Sequence, residues 1–180
     1  MWQPNRSLVS LRPVEELDVD NILAWVNDKS VVGNLAAFAG KPMTREDELA
    51  WVRKVRTSTE ERVFTVMDAR EGRYLGQVGL HQIFWRSRVA RAAAIIATRA
   101  DHGMGYGSAA IAALLDKAFH ELELHKVWLM VFATNEPFAD AIRFGRAASA
   151  LDHGDDPAGD DEDADASASP DTDALEEEAE

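Results

Sequence analysis

Three glycines at alternate positions, Gly103, Gly105 and Gly107, stand between a predicted strand and a predicted helix. Glycine lets the backbone come close to a ligand, and the first turn of the following helix points unpaired N–H groups at whatever binds there. That geometry favours an anionic group such as a pyrophosphate. The alternative is a tight strand-to-helix turn that binds nothing, since special backbone positions also serve packing alone.

Two common phosphate-binding motifs do not match this loop. A P-loop has lysine followed by serine or threonine after its last glycine, and Gly107 is followed by Ser108 with no lysine. A dinucleotide-binding fold has the spacing G-x-G-x-x-G near its first strand, with an acidic residue about 20 positions further on. Here the spacing is G-x-G-x-G, and three predicted strands precede it in an antiparallel meander.

The segments around the loop alternate between strand and helix patterns and predict a mixed α/β fold. Strands are predicted at residues 8–13, 63–69, 74–85 and 89–98. One early helix is indicated by apolar residues at helical spacing over positions 19–26, and a second begins at a capping box in residues 44–47. The continuous apolar run at residues 127–132 is typical of a strand buried on both faces. A strand, a helix and a second strand form a crossover unit, so the last two strands are expected to be parallel.

The charge of the chain is concentrated at one end. The net charge is −13 over 180 residues, but residues 149–180 alone carry −14 and contain neither Lys nor Arg. We therefore predict one domain at residues 1–148 and a disordered acidic tail at 149–180. The body is nearly neutral, which argues against binding nucleic acid through its phosphates.

Other features of the composition exclude several classes of site. The chain has no cysteine, so disulfides, thiolate metal sites and a cysteine nucleophile are excluded. His120 and His125, with Glu121 and Glu123 between them, fit exposed polar residues better than a metal site. No signal peptide or membrane-spanning pattern is present, so a cytoplasmic location and no membrane partner are the default expectation.

Three segments together carry a resemblance to a known family. Gly79-Leu80-His81-Gln82-Ile83, Gly103-Met104-Gly105-Tyr106-Gly107 and Leu124-His125-Lys126-Val127-Trp128-Leu129 resemble the GNAT superfamily of N-acetyltransferases. They are most similar to the branch with ribosomal-protein N-terminal acetyltransferases of the RimJ/RimL type and spermidine acetyltransferases. The resemblance covers about residues 7–136 and implies a mixed sheet with an antiparallel meander plus a parallel strand pair.

The resemblance implies that acetyl-CoA is the cosubstrate and assigns residues to it. Backbone amides of the loop would hold the pyrophosphate, a strand end would pair with the pantetheine arm, and Asn135 would hydrogen-bond the cofactor. The implied cofactor-binding residues are Ile95, Ile96, Ala97, His102, Gly103, Met104, Gly105, Tyr106, Gly107, Ser108 and Asn135. The acceptor amine would approach from the side of the two early helices and the loop at residues 29–43.

The sequence departs from the family at the positions that move protons and hold phosphate. Met104 replaces the customary basic residue inside the loop, so a charge-assisted phosphate contact is lost. Arg91 stands where the family often has a glutamate base. His81 on the neighbouring strand is a candidate base by its type, and the alternative is a half-buried strand residue with no catalytic duty. No catalytic residue is assigned from the sequence.

The end of the chain departs as well. The segment after Asn135 contains no tyrosine to protonate the leaving thiolate, and the acidic tail replaces the last two strands of the family. We hypothesise that the coding frame shifted near Pro137, and reading the gene in its other two frames tests this. The leading expectation is an N-acetyltransferase acting on a primary amine of a protein N-terminus, a polyamine or a small molecule. The alternatives are an inactive acyl-CoA-binding relative and a module whose tail binds a basic partner.

Overall fold

The protein is described by a computed structural model that covers residues 4–32 and 42–130. Its centre is one five-stranded sheet in the order β1-β2-β3-β4-β5. The strands are β1 (Val9–Pro13), β2 (Arg62–Asp68), β3 (Tyr74–Phe84), β4 (Val89–Ile96) and β5 (Lys126–Trp128). The first four strands are antiparallel and β4 pairs with β5 in parallel, so the predicted mixed sheet is confirmed.

Four α-helices flank the sheet within the described ranges. They are α1 (Val19–Val26), α2 (Lys29–Val32), α3 (Arg45–Thr57) and α4 (Tyr106–Asp116), and α4 continues into one π-helical turn at Lys117–Glu121. The predicted capping box is confirmed at the start of α3, where the Thr44 side chain accepts a hydrogen bond from the Asp47 N–H and the Asp47 carboxylate accepts one from the Thr44 N–H. None of the helices in the part described has the length and apolar character needed to cross a membrane.

Two apolar cores lie on opposite faces of the sheet. On one face, α4 packs through Ala110 and Leu114 against strand residues such as Val78 and Leu80. On the other face, α1 and α3 pack against the sheet through a second cluster. This second cluster consists of Val14, Val19, Ile22, Trp25, Val26, Val32, Val52, Val55 and Val63. The side chains of successive strand residues therefore alternate between the α4 layer and the α1–α3 layer.

The prediction of a long last strand buried on both faces is wrong over the described residues. The strand β5 spans only Lys126–Trp128, and Lys126 is exposed while Val127 and Trp128 are only partly buried. Met130 is 74% exposed, and residues 131 and 132 lie outside the described ranges. The reason is that β5 lies at the edge of the described sheet and pairs with β4 through only three residue pairs. Apolar composition alone does not reveal over how many residues a strand pairs with its neighbour.

Gly76 marks the closest approach between β3 and β4. A Cβ atom built on Gly76 would lie 2.0 Å from the carbonyl oxygen of Ile95, which belongs to the backbone and cannot rotate away. The ladder between β2 and β3 also shifts register beside Gly76, between Val66 and Met67. A side chain at this position would force β3 and β4 apart.

We expect Gly76→Ala to reduce the free energy of unfolding by about 3 kcal/mol, because the new methyl group overlaps main-chain atoms. Gly72→Ala is the matched control, since Gly72 has φ of +66° but open space around it. Its backbone strain should cost only about 1 kcal/mol. Urea denaturation of the two variants checks the difference, and equal losses in both would contradict the steric explanation.

Candidate functional site

The glycine loop leads directly into the first turn of α4. Gly103 and Gly105 have φ of +79° and +87°, a backbone conformation that favours glycine. Gly105 is the N-cap of α4 and provides no side-chain cap, and the first intrahelical bond runs from the Ala109 N–H to the Gly105 carbonyl, at 2.9 Å. The N–H groups of residues 106–108 precede that bond and point out of the helix end. The loop thus has the geometry of an anion-binding helix terminus.

The loop and the end of β4, the two parts of the predicted site, lie against each other. A Cβ atom built on Gly107 would lie 3.8 Å from Cγ1 of Ile96. The His102 Nε2 atom lies 3.0 Å from the Ile96 carbonyl oxygen, so the imidazole folds back onto the strand. Met104, by contrast, is 59% exposed at the tip of the loop.

Beyond the pairing with β5, the main-chain hydrogen-bonding groups of successive β4 residues point alternately toward β3 and away from it. The Ala97 N–H donates to the Leu75 carbonyl at 2.8 Å, so the main-chain groups of Ala97 face β3. Because direction alternates along a strand, Ile95 also faces β3, whereas Ile96 and Ala94 face the opposite side. Of the three predicted strand residues, only Ile96 therefore presents its main chain away from β3. Ala94, which was not among the residues predicted from the sequence, faces the same way as Ile96, as the register shows.

A gap opens beside the second half of β4. The ladder with β5 consists of Val89–Lys126, Ala90–Val127 and Arg91–Trp128. Among the described residues, no strand pairs with residues 92–96 on that side. The gap runs along β4 from Arg91 toward Ile96, which contacts the start of α4. A ligand with an extended chain and an anionic end would match this path.

Four side chains far apart in sequence hold the loop to the turn between β2 and β3. The Tyr106 hydroxyl donates to Asp68 Oδ2 at 2.6 Å. The Arg73 guanidinium donates to both Asp101 carboxylate oxygens, at 2.9 and 2.6 Å, and lies 5.8 Å from the centre of the Tyr106 ring. We call Asp68, Arg73, Asp101 and Tyr106 the loop anchor. It fixes the segment before the glycines and the first residue of α4.

The loop anchor shifts the pKa of its buried acid. The hydrogen bond from Tyr106, aided by the N–H groups of Glu71 and Arg70, lowers the pKa of Asp68 from 3.8 to about 2. The Asp68 residue is only 5% exposed. No local motif predicts this cluster, because its members come from two strand ends, a turn and a helix.

The two residues considered for proton transfer lie on neighbouring strands. His81 on β3 is the cross-strand neighbour of Arg91 on β4, and its Nδ1 atom lies 2.9 Å from Glu61 Oε1. The Nε atom of Arg91 is buried and makes no hydrogen bond within the described ranges. Ser108 is half-buried within α4, and Asn135 and the segment that follows it lie outside the described residues.

No group of three or more His, Asp and Glu side chains that could hold a metal ion is present in residues 4–32 and 42–130. The Nε2 atom of the exposed His120, in the π-helical turn after α4, lies 3.7 Å from Oδ1 of Asp116.

Comparisons with known proteins agree on one family. Residues 9–143 match the family model of the acetyltransferase (GNAT) domain. A solved spermidine N-acetyltransferase from Vibrio cholerae, in complex with CoA and spermine, is 26% identical with a TM-score of 0.69, covering 77% of this chain and 80% of that one. A dodecameric structure of spermidine N-acetyltransferase from the same organism is 26% identical with a TM-score of 0.64, and the match covers 77% of this chain and 78% of that one. No curated protein sequence matches the chain.

The loop anchor predicts a specific dependence of stability on pH. The lowered pKa of Asp68 means that its contribution is complete above about pH 4 and is lost as the pH falls toward 2. We expect Tyr106→Phe to lower the Tm at neutral pH, because the hydroxyl that stabilises the carboxylate is removed. The difference from the unmodified protein should shrink between pH 4 and pH 2.

Circular dichroism melts of both proteins across this range provide the measurement. Tyr74→Phe is the matched control, because the Tyr74 hydroxyl bonds to Trp25 and does not contact Asp68. Its effect on the Tm should stay constant between pH 4 and pH 2. A constant difference for Tyr106→Phe would show that the hydrogen bond does not govern the titration of Asp68.

Proposed function

Because the chain belongs to the GNAT family of N-acetyltransferases, whose cosubstrate is acetyl-CoA, we propose that it acetylates a primary amine and that the acceptor is a polyamine. The observation that carries the proposal is the gap beside β4 that ends at the glycine loop. The edge of β4 that no described strand pairs with suits an extended pantetheine arm, and the helix terminus at the end of the gap suits a pyrophosphate.

We assign the cofactor contacts to the backbone more than to side chains. The N–H groups of residues 103–108 would hold the pyrophosphate, since Met104 offers no charge. The main-chain N–H of Ile96, with the main chain of Ala94, would pair with the pantetheine amides, since the Ile96 carbonyl already accepts a hydrogen bond from His102. Asn135 remains a proposed cofactor contact on the resemblance alone. When bound, acetyl-CoA supplies an activated acyl group, and the residues of the chain orient it and the attacking amine.

The face covered by α1 and α3 is the proposed acceptor side, and it contains a buried carboxylate suited to a cation. Glu48 on α3 is 4% exposed; its backbone N–H donates to the Thr44 carbonyl, while its carboxylate makes no ion pair with another described residue. Burial raises its pKa, and the charge of Asp47 adds to the rise. Asp18, which is also buried on this side, is already satisfied by Arg12 and Thr65. An ammonium group paired with the Glu48 carboxylate would offset the free energy lost when that carboxylate is desolvated.

This charge pattern, together with the spermidine acetyltransferases among the structural relatives, supports a polyamine as the acceptor. One amine of a polyamine would be acetylated while another pairs with an acidic side chain. The division into a domain at residues 1–148 and an acidic tail at 149–180 is also kept as a proposal.

The second candidate function is an acyl-CoA-binding protein without turnover. Two observations favour it: Arg91 stands where relatives often have a glutamate, and both tyrosines of the chain are engaged elsewhere. Tyr106 donates to Asp68, and Tyr74 accepts from the Trp25 indole. Turnover distinguishes the two candidates.

Gly107 offers a clean test of the cofactor site, because it lies within α4 and faces Ile96 without positive φ. We expect Gly107→Glu to abolish acetyl-CoA binding in calorimetry, since it places a carboxylate at the phosphate end of the gap. Gly107→Ala is the control and should bind like the unmodified protein, because its methyl group makes only ordinary contact with Ile96. Equal binding by the two variants would place the cofactor elsewhere.

Turnover is measured by the release of the CoA thiol with a thiol-reactive dye. The chain contains no cysteine, so the protein contributes no background signal. We expect acetylation of spermidine and spermine to exceed that of a simple monoamine and of a peptide N-terminus. Binding of acetyl-CoA without turnover of any of these amines would favour the inactive relative instead.

A further inference from the structure

An exposed alanine lies in the middle of the sheet. Ala93 is in the interior of β4 and pairs with Gly79 on β3, yet Ala93 is exposed to solvent. Residues directly opposite each other share a face, and this face also bears Val63, which packs in the α1–α3 core. On the proposed acceptor side, the sheet is therefore open at Ala93, while Gly79 beside it is buried. Gly79 and Ala93 have only a hydrogen and a methyl group as side chains, so we describe the surface over this row as a depression with the row as its floor.

The imidazole of His81 leans over this floor. A Cβ atom built on Gly79 would lie 2.9 Å from His81 Nε2, so that nitrogen lies directly above Gly79. Only glycine at position 79 leaves room for the ring in this position. His81 itself belongs to the next row of the same face, opposite Arg91. The ring thus points along β3 toward the Gly79–Ala93 row.

Glu61 holds the other nitrogen of the ring. Its Oε1 atom lies 2.9 Å from His81 Nδ1, and the two side chains are 25% and 19% exposed. A carboxylate accepts a hydrogen bond, so Nδ1 must carry the hydrogen in this contact. In the neutral ring, Nε2 then has its lone pair available above the floor of the depression.

The same depression adjoins the gap proposed for the cofactor. Arg91 is paired with His81 on one side and with Trp128 on the other, and this is the last row in which β4 and β5 are joined. The Gly79–Ala93 row is the next one along β4, where the gap begins. An amine above this row would therefore lie beside the part of the gap closest to the β4–β5 junction.

Two unsatisfied donors flank the depression. Gln77, 7% exposed, lies one row beyond Gly79, and its Nε2 atom has no hydrogen-bond partner among the described residues. The Nε atom of Arg91 is likewise buried without a partner. Gln77 pairs with Ile95, so both donors lie on the same face as His81. Buried donors without partners are rare and cost free energy, which suggests that a bound molecule satisfies them.

We propose that the Glu61–His81 pair is the proton acceptor of the acetyl transfer, with the amine bound over the exposed Ala93, beside the imidazole. This rests on the proposed function. His81 Nε2 takes a proton from the ammonium group, and the freed lone pair on nitrogen forms a bond to the thioester carbonyl carbon. The C–S bond then breaks with its electron pair on sulfur, and the second proton lost from nitrogen neutralises the departing thiolate. The products are the N-acetylamine, CoA and a protonated His81.

Other side chains in this region do not fit the role. The guanidinium of Arg91 offers only N–H donors and has no acceptor atom for a proton. Glu61 is a positioning residue, because its carboxylate is engaged with Nδ1 and acts through the ring. Its charge also stabilises the imidazolium that forms when the proton is transferred.

The test compares His81→Ala and Glu61→Gln with the unmodified protein for acetyl-CoA affinity and turnover of spermidine. We expect His81→Ala to keep its acetyl-CoA affinity and to lose roughly 10²–10⁴-fold in kcat. Added imidazole should restore part of that loss in a saturable manner, which a structural role would not allow. Glu61→Gln should show a smaller decrease, because the ring remains but is held less well.

His120→Ala is the matched histidine control, since His120 lies on the surface far along the chain from the pair, and it should leave kcat unchanged. His81→Gln provides a second variant in case the alanine variant does not fold. Turnover by His81→Ala or His81→Gln that equals that of the unmodified protein overturns the proposal but leaves the acetyltransferase function intact. A loss that imidazole does not restore also overturns it. An unmodified protein that binds acetyl-CoA but acetylates no amine overturns both.

Discussion

The three-pair ladder between β4 and β5 is the constraint on which the rest of the site depends. A parallel pair that continued along the whole of β4 would use every main-chain donor and acceptor on that edge. Because pairing among the described residues ends at Arg91 and Trp128, no described strand covers the edge of β4 beyond it, and the start of α4 lies at the far end of that opening. The path proposed for the cofactor follows from where this ladder stops.

An opening of this kind needs rigid walls, and the loop anchor provides one of them. The Arg73–Asp101 pair and the Tyr106–Asp68 hydrogen bond connect the glycine loop to the far end of the β2–β3 turn. Glycines alone would leave the loop free to sample many conformations and would increase the entropy lost on binding. The anchor restricts that freedom through side chains, while the glycines keep the backbone accessible.

Much of the fold, including the glycine loop before α4, could be predicted from the sequence. The capping box at Thr44, the antiparallel meander and the crossover through α4 are local or nearly local patterns, and the structure confirms them. The extent of β5 could not be predicted, because an apolar run does not determine how many of its residues pair with the neighbouring strand. The loop anchor and the Glu61–His81 contact join residues from separate elements, so only the register and the packing reveal them.

The packing around two glycines of this chain implies two different kinds of constraint on substitution. Gly76 faces the Ile95 carbonyl, so any side chain there is removed by selection for folding, whatever the protein binds. Gly107 lies in a helix with room for a methyl group, so the fold tolerates substitution and only ligand binding would oppose it. A lineage that abandoned the cofactor would thus keep Gly76 and let Gly107 drift. Comparing positions 76 and 107 in related sequences would therefore distinguish loss of ligand binding from loss of the fold.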